Sequence, residues 1–420
     1  MALNCCIFVY NSVTWKIISP SLNSPYTVIN EHYPTSMKTE KKRITTTIIN
    51  SLQELEKYET SWNTLALLSP QRSPMNSWAW LSTYFEKRLL KNEEWFCVIA
   101  EDSDALLGVL PLIVIPINIL GRTYQILRTP GDHHTIAIDM VIHQQYEKQV
   151  IPLLINAALK QYPSYSYLEF SQLVEQSPTL NWLTRHKHNF SLIKEHRGNG
   201  AYLKTSKTFD SFYSELSKNY RSNLNKARNK LKKLPDVTIE FTEGTTGGNA
   251  QLMRMAAVED KNWKGDAGTS ILKSPELIDF YSKVCHRLAR AGWLEWHFLS
   301  TADQSIAANL AINFNGSIIL WKLGYDESFK KCSPGSMLLE RLIERACQSE
   351  IIDEINLMTD MGWYANWKME KRKYYMVRIY SLRPLPVFFS LVPVKTKYLL
   401  KRNPLARQIY SSIKAIRGTK

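Results

Sequence analysis

The connection between a strand and a helix late in the chain constrains the fold more than any other feature. Residues 317–323 form an apolar run typical of a buried strand, a charged turn follows, and Ser333-Pro334-Gly335 then opens a segment with helical spacing of apolar residues. Proline and glycine let the backbone turn tightly at this corner. The first N–H groups of the helix and its positive dipole end would then face outward. The pattern predicts an α/β unit with an anion-binding corner between strand and helix.

Length and composition indicate a soluble globular protein. A chain of 420 residues with 44% hydrophobic and 22% charged residues has the size of two domains. Its apolar runs are shorter than the roughly 18–20 residues that a membrane span needs. The six cysteines are scattered without a CxxC pair, so we predict neither a disulfide framework nor zinc, and a cytoplasmic location. His133-His134 is the closest histidine pair, but adjacent strand residues point to opposite faces, so we predict no metal site.

The positive charge is concentrated in the last part of the chain. Lys368 to Lys420 contain fourteen Lys or Arg residues against the single acid Glu370, a net charge of +13 out of a total of +15. Apolar residues alternate with these basic residues, which predicts a basic amphipathic tail over 384–420 that is helical. Such a tail either lies on an anionic membrane, at its inner face, or packs on its own domain. Nucleic acid is not the expected partner, because the tail lacks a module that reads bases.

Residues 1–43 form a leader that we predict to be disordered or not translated. The first 36 residues lack the charged start and the cleavage site of a signal peptide. Met37 is followed by a basic segment and then directly by a strand pattern, as at an independent start. Mass spectrometry of the native N-terminus tests this, because a peptide from residues 1–36 would contradict it.

The same order of elements occurs twice in the rest of the chain. The first half predicts strand 44–49, helices 51–68 and 77–90, strands 95–100, 106–115, 121–127 and 136–141, helix 147–161, strand 167–170 and helix 180–186. The second half predicts strand 236–241, helices 249–263 and 275–291, strands 293–300, 305–314 and 317–325, helix 336–348 and strands 354–358 and 375–382. This duplication predicts an N-terminal domain over 44–200 and a C-terminal domain over 201–383.

A strongly basic helix is predicted over 217–234, between the two halves. Its apolar face carries Leu224, Ala227 and Leu231, and lysines and arginines cover the other face. It is either a solvated bridging helix or a basic wall that attracts phosphate groups of a ligand.

Four blocks of the second half carry a family resemblance. They are the basic helix 220–234, the block 259–265 (EDKNWKG) followed by Gly268-Thr269, the block 322–327 (KLGYDE), and Ser333-Pro334-Gly335 before a leucine-rich helix. In order and spacing this part of the chain, roughly 200–370, resembles the GNAT-type acyltransferases of the CelD (cellulose-biosynthesis) and FemAB-like group. The resemblance implies α/β architecture with tandem GNAT-like domains, in which helices flank mixed sheets.

The corner departs from the phosphate loop of many GNAT enzymes. That loop reads Gln/Arg-x-x-Gly-x-Gly/Ala, whereas this chain has Cys332 at the first position, Gly335 at the fourth and Met337 in place of the last Gly/Ala, two residues after Gly335. The resemblance still implies acetyl-CoA or another acyl-CoA as co-substrate, and some FemAB-like relatives use aminoacyl-tRNA instead. For this cofactor we predict the binding residues Ser333, Gly335, Ser336 and Lys264. The alternative for Ser333 is a helix N-cap.

Transfer of an acyl group from a thioester needs a base near the acceptor and a hydrogen-bond donor for the developing oxyanion. We predict Glu259 as the base, and its alternative is a surface pair one turn along a helix. Asp326 and Asp360 are further catalytic candidates because each follows a strand, although Asp326 is equally placed to cap a turn. Cys332 is rejected as a nucleophile, since the sequence places no histidine near it and the thioester is already activated.

These features predict an acyltransferase that moves an acyl group, by expectation acetyl, to an amino or hydroxyl group. The resemblance implies a small-molecule or saccharide acceptor such as a cell-envelope precursor, and a place in polysaccharide biosynthesis. Two alternatives stay open: a non-catalytic, membrane-associated accessory protein, and a FemAB-like transferase that depends on aminoacyl-tRNA.

Overall fold

The computed structural model describes residues 6–10, 13–17 and 43–402, except 104, 188–189, 246–247 and 303. The predicted leader therefore lies largely outside the described residues, apart from a short antiparallel pair formed by β1 (Cys6–Tyr10) and β2 (Val13–Ile17). The predicted tail is described to residue 402.

The remaining strands follow the predicted order with one large addition, the long strand β9. They are β3 (Thr45–Ile49), β4 (Glu94–Glu101), β5 (Leu106–Ile119), β6 (Arg122–Arg128), β7 (Val141–Ile142), β8 (Tyr165–Val174), β9 (Ser191–Lys204), β10 (Thr238–Glu243), β11 (Leu294–Thr301), β12 (Gln304–Phe314), β13 (Ser317–Tyr325), β14 (Glu354–Asn356) and β15 (Glu370–Tyr380).

Most helices match the predicted positions, whereas α6 and the short α9 were not predicted. They are α1 (Leu52–Glu56), α2 (Glu59–Leu68), α3 (Trp78–Lys87), α4 (Glu147–Gln161), α5 (Pro178–Arg185), α6 (Phe209–Glu215), α7 (Lys218–Leu231), α8 (Asn249–Asp260), α9 (Trp263–Asp266), α10 (Pro275–Arg290), α11 (Pro334–Cys347), α12 (Pro384–Pro386) and α13 (Val392–Arg402).

Thirteen of the described strands form one mixed sheet. Its order is β10-β11-β12-β13-β14-β9-β15-β8-β6-β5-β4-β3, and β7 pairs with β5. The pairs β13–β14 and β6–β8 are parallel, and the other pairs are antiparallel. The sheet therefore consists of two similar halves that meet at the centre, where β9 pairs with β15 along eleven residue pairs.

The two halves exchange their last strands. β9, which ends the first half, pairs with β14 of the second half, and β15, which ends the second half, pairs with β8 of the first. The predicted boundary between residues 200 and 201 lies inside β9, so the division into two domains at that point stays a prediction.

Helices cover both faces of this sheet, and the described residues form three large apolar cores and one small one around Ile193, Tyr380 and Leu391. One core is shared by the two halves, and it joins Trp80 of α3 to Phe280 of α10 and Trp321 of β13. A second core lies between the C-terminal half of the sheet and α6, α7 and α11. A third lies between the N-terminal half and α4 and α5. Because residues of both halves fill the first core, burial of its apolar surface holds the halves together.

Three elements differ from their predictions. The helix predicted over 51–68 is divided at Lys57-Tyr58, and the strand predicted over 136–141 is reduced to the two residues of β7. β9 was not predicted because its sequence has charged residues and glycines instead of an apolar alternation. One of these, Gly200, is required by close approach, since a Cβ there would lie 2.8 Å from the carbonyl oxygen of Met358.

These elements confirm the predicted fold class, an α/β protein with mixed sheets flanked by helices.

Candidate active site

A β-bulge in β13 turns two adjacent side chains to the same face of the sheet. Leu310 of β12 pairs with Lys322 and the next residue, Ala311, pairs with Leu320, so Trp321 is the extra residue. Trp321 packs against Tyr281, with ring centroids 4.6 Å apart, and the Nζ atom of Lys322 lies 5.3 Å from the centroid of the same tyrosine ring. Without the bulge, strand alternation would place one of the two on the opposite face. The bulge thus places the side chain of Lys322 at the core shared by the two halves.

Glu259 lies beside this strand, near the end of α8. Its side chain is 1% exposed, and its Oε1 atom accepts a hydrogen bond from Nζ of Lys264 at 2.6 Å. Its Oε2 atom accepts a second from the backbone N–H of Ile271 at 3.0 Å. The predicted base and the predicted cofactor-binding lysine are therefore brought together as a buried ion pair.

A glycine allows β13 and α8 to approach this closely. A Cβ at Gly324 would lie 3.0 Å from the Cα atom of Glu259 and 3.1 Å from its backbone nitrogen. Any larger residue at this position would push the helix away from the strand. Gly324 therefore determines the distance between Glu259 and β13, the strand that carries Lys322.

The third component of the cluster comes from the N-terminal half. The Nδ1 atom of His134 lies 2.9 Å from the hydroxyl oxygen of Tyr281 and 3.3 Å from Nζ of Lys322. The indole N–H of Trp321 donates to the carbonyl oxygen of His134 at 2.9 Å. His134 and Lys322 are separated by 188 residues along the chain.

Burial governs the protonation of the cluster. It lowers the pKa of Lys322 from 10.5 to about 8, while the charge of Glu259 opposes this and that of Lys264 adds to it. Burial and the neighbouring Lys322 lower the pKa of His134 to about 4. Burial raises the pKa of the Tyr281 hydroxyl. At neutral pH the cluster therefore contains a lysine ammonium, a neutral imidazole and a neutral phenol.

Lys322 is the cation of this cluster that lacks a carboxylate partner. Lys264 pairs with Glu259, and Arg88 pairs with Asp132 at 2.7 Å. Among the ion pairs of the described residues none includes Lys322. The side chain of Lys322 is half-buried, and its ammonium group has three N–H donors.

Beyond the bulge, β13 parts from its parallel neighbour. β14 pairs only with Ser317–Ile319 of β13, and the backbone then turns away at Met358, which has φ 59°. The edge of β13 over residues 320–325 therefore has no strand partner on that side in the described part of the chain. Lys322 lies on one face of the sheet at this unpaired edge, and α11 packs on the other face.

The predicted anion corner lies at the end of the same strand. Ser333 adopts the left-handed conformation with φ 47° and ψ 53°, and Pro334 begins the 14-residue helix α11. Ser333 is exposed and its hydroxyl makes no capping hydrogen bond, whereas Ser336 contacts the hydroxyl of Tyr220 from α7. A Cβ at Gly335 would meet only Tyr325, at 3.7 Å. The first N–H groups of α11 and its positive dipole end suit a phosphate here, so the corner fits the phosphates of a CoA-type donor.

The basic helix α7 packs beside this corner. Arg228 pairs with Glu340 of α11 at 2.7 Å, and Leu224, Ala227 and Leu231 are buried. The Nε atom of Arg221 is buried without a hydrogen-bond partner. The exposed lysines of α7 add positive potential near the start of α11.

Asp326 is held in a structural network. Its Oδ1 atom accepts from the backbone N–H and the hydroxyl of Ser328, and its Oδ2 atom lies 3.1 Å from Lys261 and 3.0 Å from Gln304. Burial opposes its ionisation, but the hydrogen bonds from Ser328 and Lys261 outweigh this and lower the pKa of Asp326. The carboxylate thus caps the turn between β13 and the corner.

Asp360 has its contacts elsewhere. The hydrogen bond from Lys371 lowers the pKa of Asp360, and Lys371 Nζ lies 2.8 Å from its Oδ2 atom. Its other partner is Asn199 of β9, at 3.4 Å. Its contacts therefore include no member of the cluster around Lys322.

The sequence missed Lys322, His134 and Tyr281 as functional candidates. Lys322 stands in the block 322–327 that carried the family resemblance, which was the one available signal. The roles of His134 and Tyr281 follow from contacts between distant parts of the chain, which a single sequence does not show.

Two searches of the described residues gave negative results. They contain no group of three or more His, Cys, Asp or Glu residues placed to hold a metal ion. They also contain no helix whose length and apolar character would let it cross a membrane.

Comparisons with known proteins address the C-terminal half most directly. Residues 218–369 match the model of a family described as an acetyltransferase (GNAT) domain. No curated protein matches the sequence.

Among solved structures, FemX is similar at 9% identity, with a TM-score of 0.53, covering 82% of this chain and 99% of its own. A tandem GNAT protein from the clavulanic acid biosynthesis pathway is similar at 10% identity (TM-score 0.45, 79% and 98% covered). L-PGS from Bacillus licheniformis is similar at 12% identity (TM-score 0.41, 81% and 94% covered).

At 9% identity the likeness to FemX shows a shared fold across most of both chains. The family model covers the strand, the bulge and the corner described above, from α7 to the end of the loop before β15. Residues 218–369 are therefore similar to a GNAT-type acetyltransferase domain, and this similarity supports a transferase.

Proposed function

We propose that this protein transfers an acyl group from an acyl-CoA thioester to an amino or hydroxyl group of a saccharide or cell-envelope precursor. The observation that supports the proposal is the Lys322 ammonium, which the bulge in β13 turns toward Tyr281 on the strand that precedes the anion corner. The resemblance to the CelD and FemAB-like group supports the saccharide acceptor.

The donor would span the sheet along the free edge of β13. Its phosphates would meet the first turn of α11, at Gly335 and Ser336, with the basic face of α7 beside them. Its thioester would then reach the opposite face, near Lys322. The acceptor would approach from the side of Lys264, where the side chain of Trp263 is 59% exposed and offers an aromatic face to a sugar ring.

The chemistry would proceed in one displacement. The acceptor nitrogen or oxygen attacks the carbonyl carbon, and the Lys322 ammonium donates to the carbonyl oxygen as it becomes negative. The C–S bond then breaks and the thiolate leaves. The acceptor's proton would pass to the Glu259–Lys264 pair: the Lys264 ammonium gives a proton to Oε1 of Glu259, and the lone pair that this frees on Nζ takes the acceptor's proton. Asp326 would support the corner, and Asp360 would act on the loop after β14 rather than on the acceptor.

Calorimetric titration with acetyl-CoA and with a long-chain acyl-CoA tests the donor. We expect the parent protein and Gly335→Ala to bind, because a Cβ at this position meets only an ordinary contact with Tyr325. Gly335→Trp should not bind, because its ring would fill the corner. No binding by the parent would contradict the acyl-CoA proposal and favour an aminoacyl-tRNA donor or a non-catalytic accessory role.

We further propose that the segment after β15 contacts an anionic membrane face. Leu391 is buried and Ser390 bonds to Ser166 at 2.8 Å, so the segment is docked on its own domain. The same segment nevertheless exposes Phe388 and Phe389, by 65% and 45%, and a basic sequence follows. Exposed aromatic residues beside positive charge are the pattern of an interfacial anchor.

Flotation with vesicles that contain phosphatidylglycerol tests this contact. The parent protein should float with these vesicles and not with neutral phosphatidylcholine vesicles. The double variant Phe388→Ser, Phe389→Ser should lose binding, while Ile351→Ser, at a residue 70% exposed elsewhere, should keep it. Equal binding by both variants would refute the contact.

A further inference from the structure

The N-terminal half repeats the fold of the C-terminal half but not its opening. β6 stays paired with β8 up to Arg128, and the ladder continues when the backbone N–H of Thr129 donates to Glu169 at 2.9 Å. The backbone N–H of Ser171 then donates to the hydroxyl of Thr129 at 3.1 Å. The strand edge that loses its partner in the second half therefore stays paired in the first half. Any role of the N-terminal half in the candidate site must be a different one.

That role is indicated by the loop that follows β6, residues 129–135. Arg88, the residue after α3, forms two hydrogen bonds to Asp132, at 2.8 and 2.7 Å. The other oxygen of Asp132 accepts from the backbone N–H groups of His134 and Thr135, both at 2.8 Å. Trp80 donates its indole N–H to the hydroxyl of Thr135 at 3.2 Å. The N-terminal half thus fixes both the backbone of this loop and the direction in which it leaves β6.

The C-terminal half holds the same loop from the other side. Trp321 donates to the carbonyl oxygen of His134, and its ring lies on Trp80 with centroids 4.3 Å apart. The ring of His134 meets that of Tyr281 edge to face. The position of the imidazole is therefore determined by contacts from both halves.

The contacts of the imidazole also determine its protonation. The Tyr281 hydroxyl and the Lys322 ammonium both converge on Nδ1. Lysine has no acceptor, so Nδ1 must carry the lone pair and the ring proton must lie on Nε2. His134 is thus a neutral acceptor for the Lys322 ammonium, which lacks a carboxylate partner.

We propose that His134 is a positioning residue of the transfer site, supplied by the N-terminal half to hold the Lys322 ammonium in place at the bulge of β13. This inference rests on the function proposed above, in which Lys322 stabilises the developing oxyanion. It assigns to the N-terminal half the task of completing the reaction centre of the C-terminal domain.

The charged and titratable groups that face Lys322 come from several elements. Glu259 and Lys264 face it from α8 and α9, and Tyr281 faces it from α10. Asp132 faces it from the loop after β6, and Arg88 from the end of α3. None of them is removed by a change at His134. A change in the pKa of Lys322 after substitution of His134 therefore reports the loss of the imidazole itself.

The first measurement needs no enzymatic reaction. In the full-length protein, the rate at which acetic anhydride labels Lys322 is followed against pH by peptide mass spectrometry. His134→Ala admits water to the ammonium, so the labelling midpoint should rise by about one pH unit. His134→Asn, whose amide oxygen takes the place of Nδ1, and His133→Ala, at the exposed neighbour, should keep the midpoint. An unchanged midpoint in His134→Ala overturns the proposal.

The second measurement separates positioning from folding. His134→Gln keeps a polar side chain but moves its oxygen to the place of Nε2, so its kcat should fall about tenfold or more while the KM for acyl-CoA stays constant. His134→Asn should keep its kcat, and equal activity of these two variants overturns the proposal. A parent protein that shows the labelling behaviour but transfers no acyl group would overturn the proposed function alone.

Discussion

Replacement of Lys322 by methionine should make the protein more stable and inactive. The pKa of Lys322 is lowered from 10.5 to about 8 by burial, so folding weakens the binding of its proton. At 1.36 kcal/mol per pKa unit, this corresponds to a destabilisation of up to about 3 kcal/mol while the lysine is protonated in both states. Methionine has nearly the same length as lysine and carries no charge, and the Tyr281 hydroxyl can still donate a hydrogen bond to His134.

The pH dependence of this gain follows from the sign of the shift. Below pH 8 both the folded and the unfolded lysine are protonated, so the full penalty is present and Lys322→Met removes it. Between pH 8 and 10.5 the unfolded protein binds more protons than the folded one, so the stability of the parent rises with pH. The advantage of the variant should therefore shrink across this range and vanish above it.

Loss of the ammonium should have the opposite effect on catalysis. Removal of one donor to a developing oxyanion lowers kcat by about 10²- to 10³-fold. Thermal unfolding at pH 7 and pH 10, together with release of free thiol from acetyl-CoA, measures both effects. Lys160→Met, at an exposed lysine of α4, is the control and should change neither. A variant that is less stable at pH 7, or that keeps its kcat, would refute the reasoning.

Three further predictions concern the same site. The transfer rate should fall as the pH rises above about 8, because Lys322 loses its proton, and Lys322→Arg should move this fall to higher pH; a pH profile identical in both proteins contradicts this. Gly324→Ala should lower the free energy of unfolding by about 1–3 kcal/mol, because its Cβ meets the backbone of Glu259, whereas Gly335→Ala should not. Urea denaturation compares the two, and equal midpoints would show that α8 can move. Lys264→Met should cost about 3 kcal/mol or more and Glu259→Gln less, because Glu259 is 1% exposed and cannot regain water while Lys264 is 22% exposed; the reverse order would contradict the buried pair.

The sequence alone determined the order of elements and the outline of the fold. Apolar periodicity placed α4, α10 and α11 within two residues of their observed ends. The hairpin of β4 and β5 and the second-half strands followed from apolar runs separated by short polar turns. These features are local, so the residues that encode them lie next to each other in the chain.

The sequence also singled out residues that the structure brings together in the candidate site. Glu259, Lys264 and the corner at Ser333 to Ser336 were singled out, and the structure brings Glu259 and Lys264 into contact. It does not join Asp360 to them, because the position of the loop after β14 depends on its pairing with β9. A residue that ends a strand can face either half of a sheet, and the choice is made by the neighbouring strand.

Only the tertiary structure decided the exchange of β9 and β15 and the composition of the cluster around Lys322. β9 carries little apolar alternation and is stabilised by ladders with two strands far away in sequence. The direction of Lys322 depends on a bulge set by pairing with β12, and its acceptor His134 lies 188 residues away in a loop held by both halves. Such contacts form because burial of a shared core brings distant segments together, and that free energy belongs to the folded chain as a whole rather than to any of its segments.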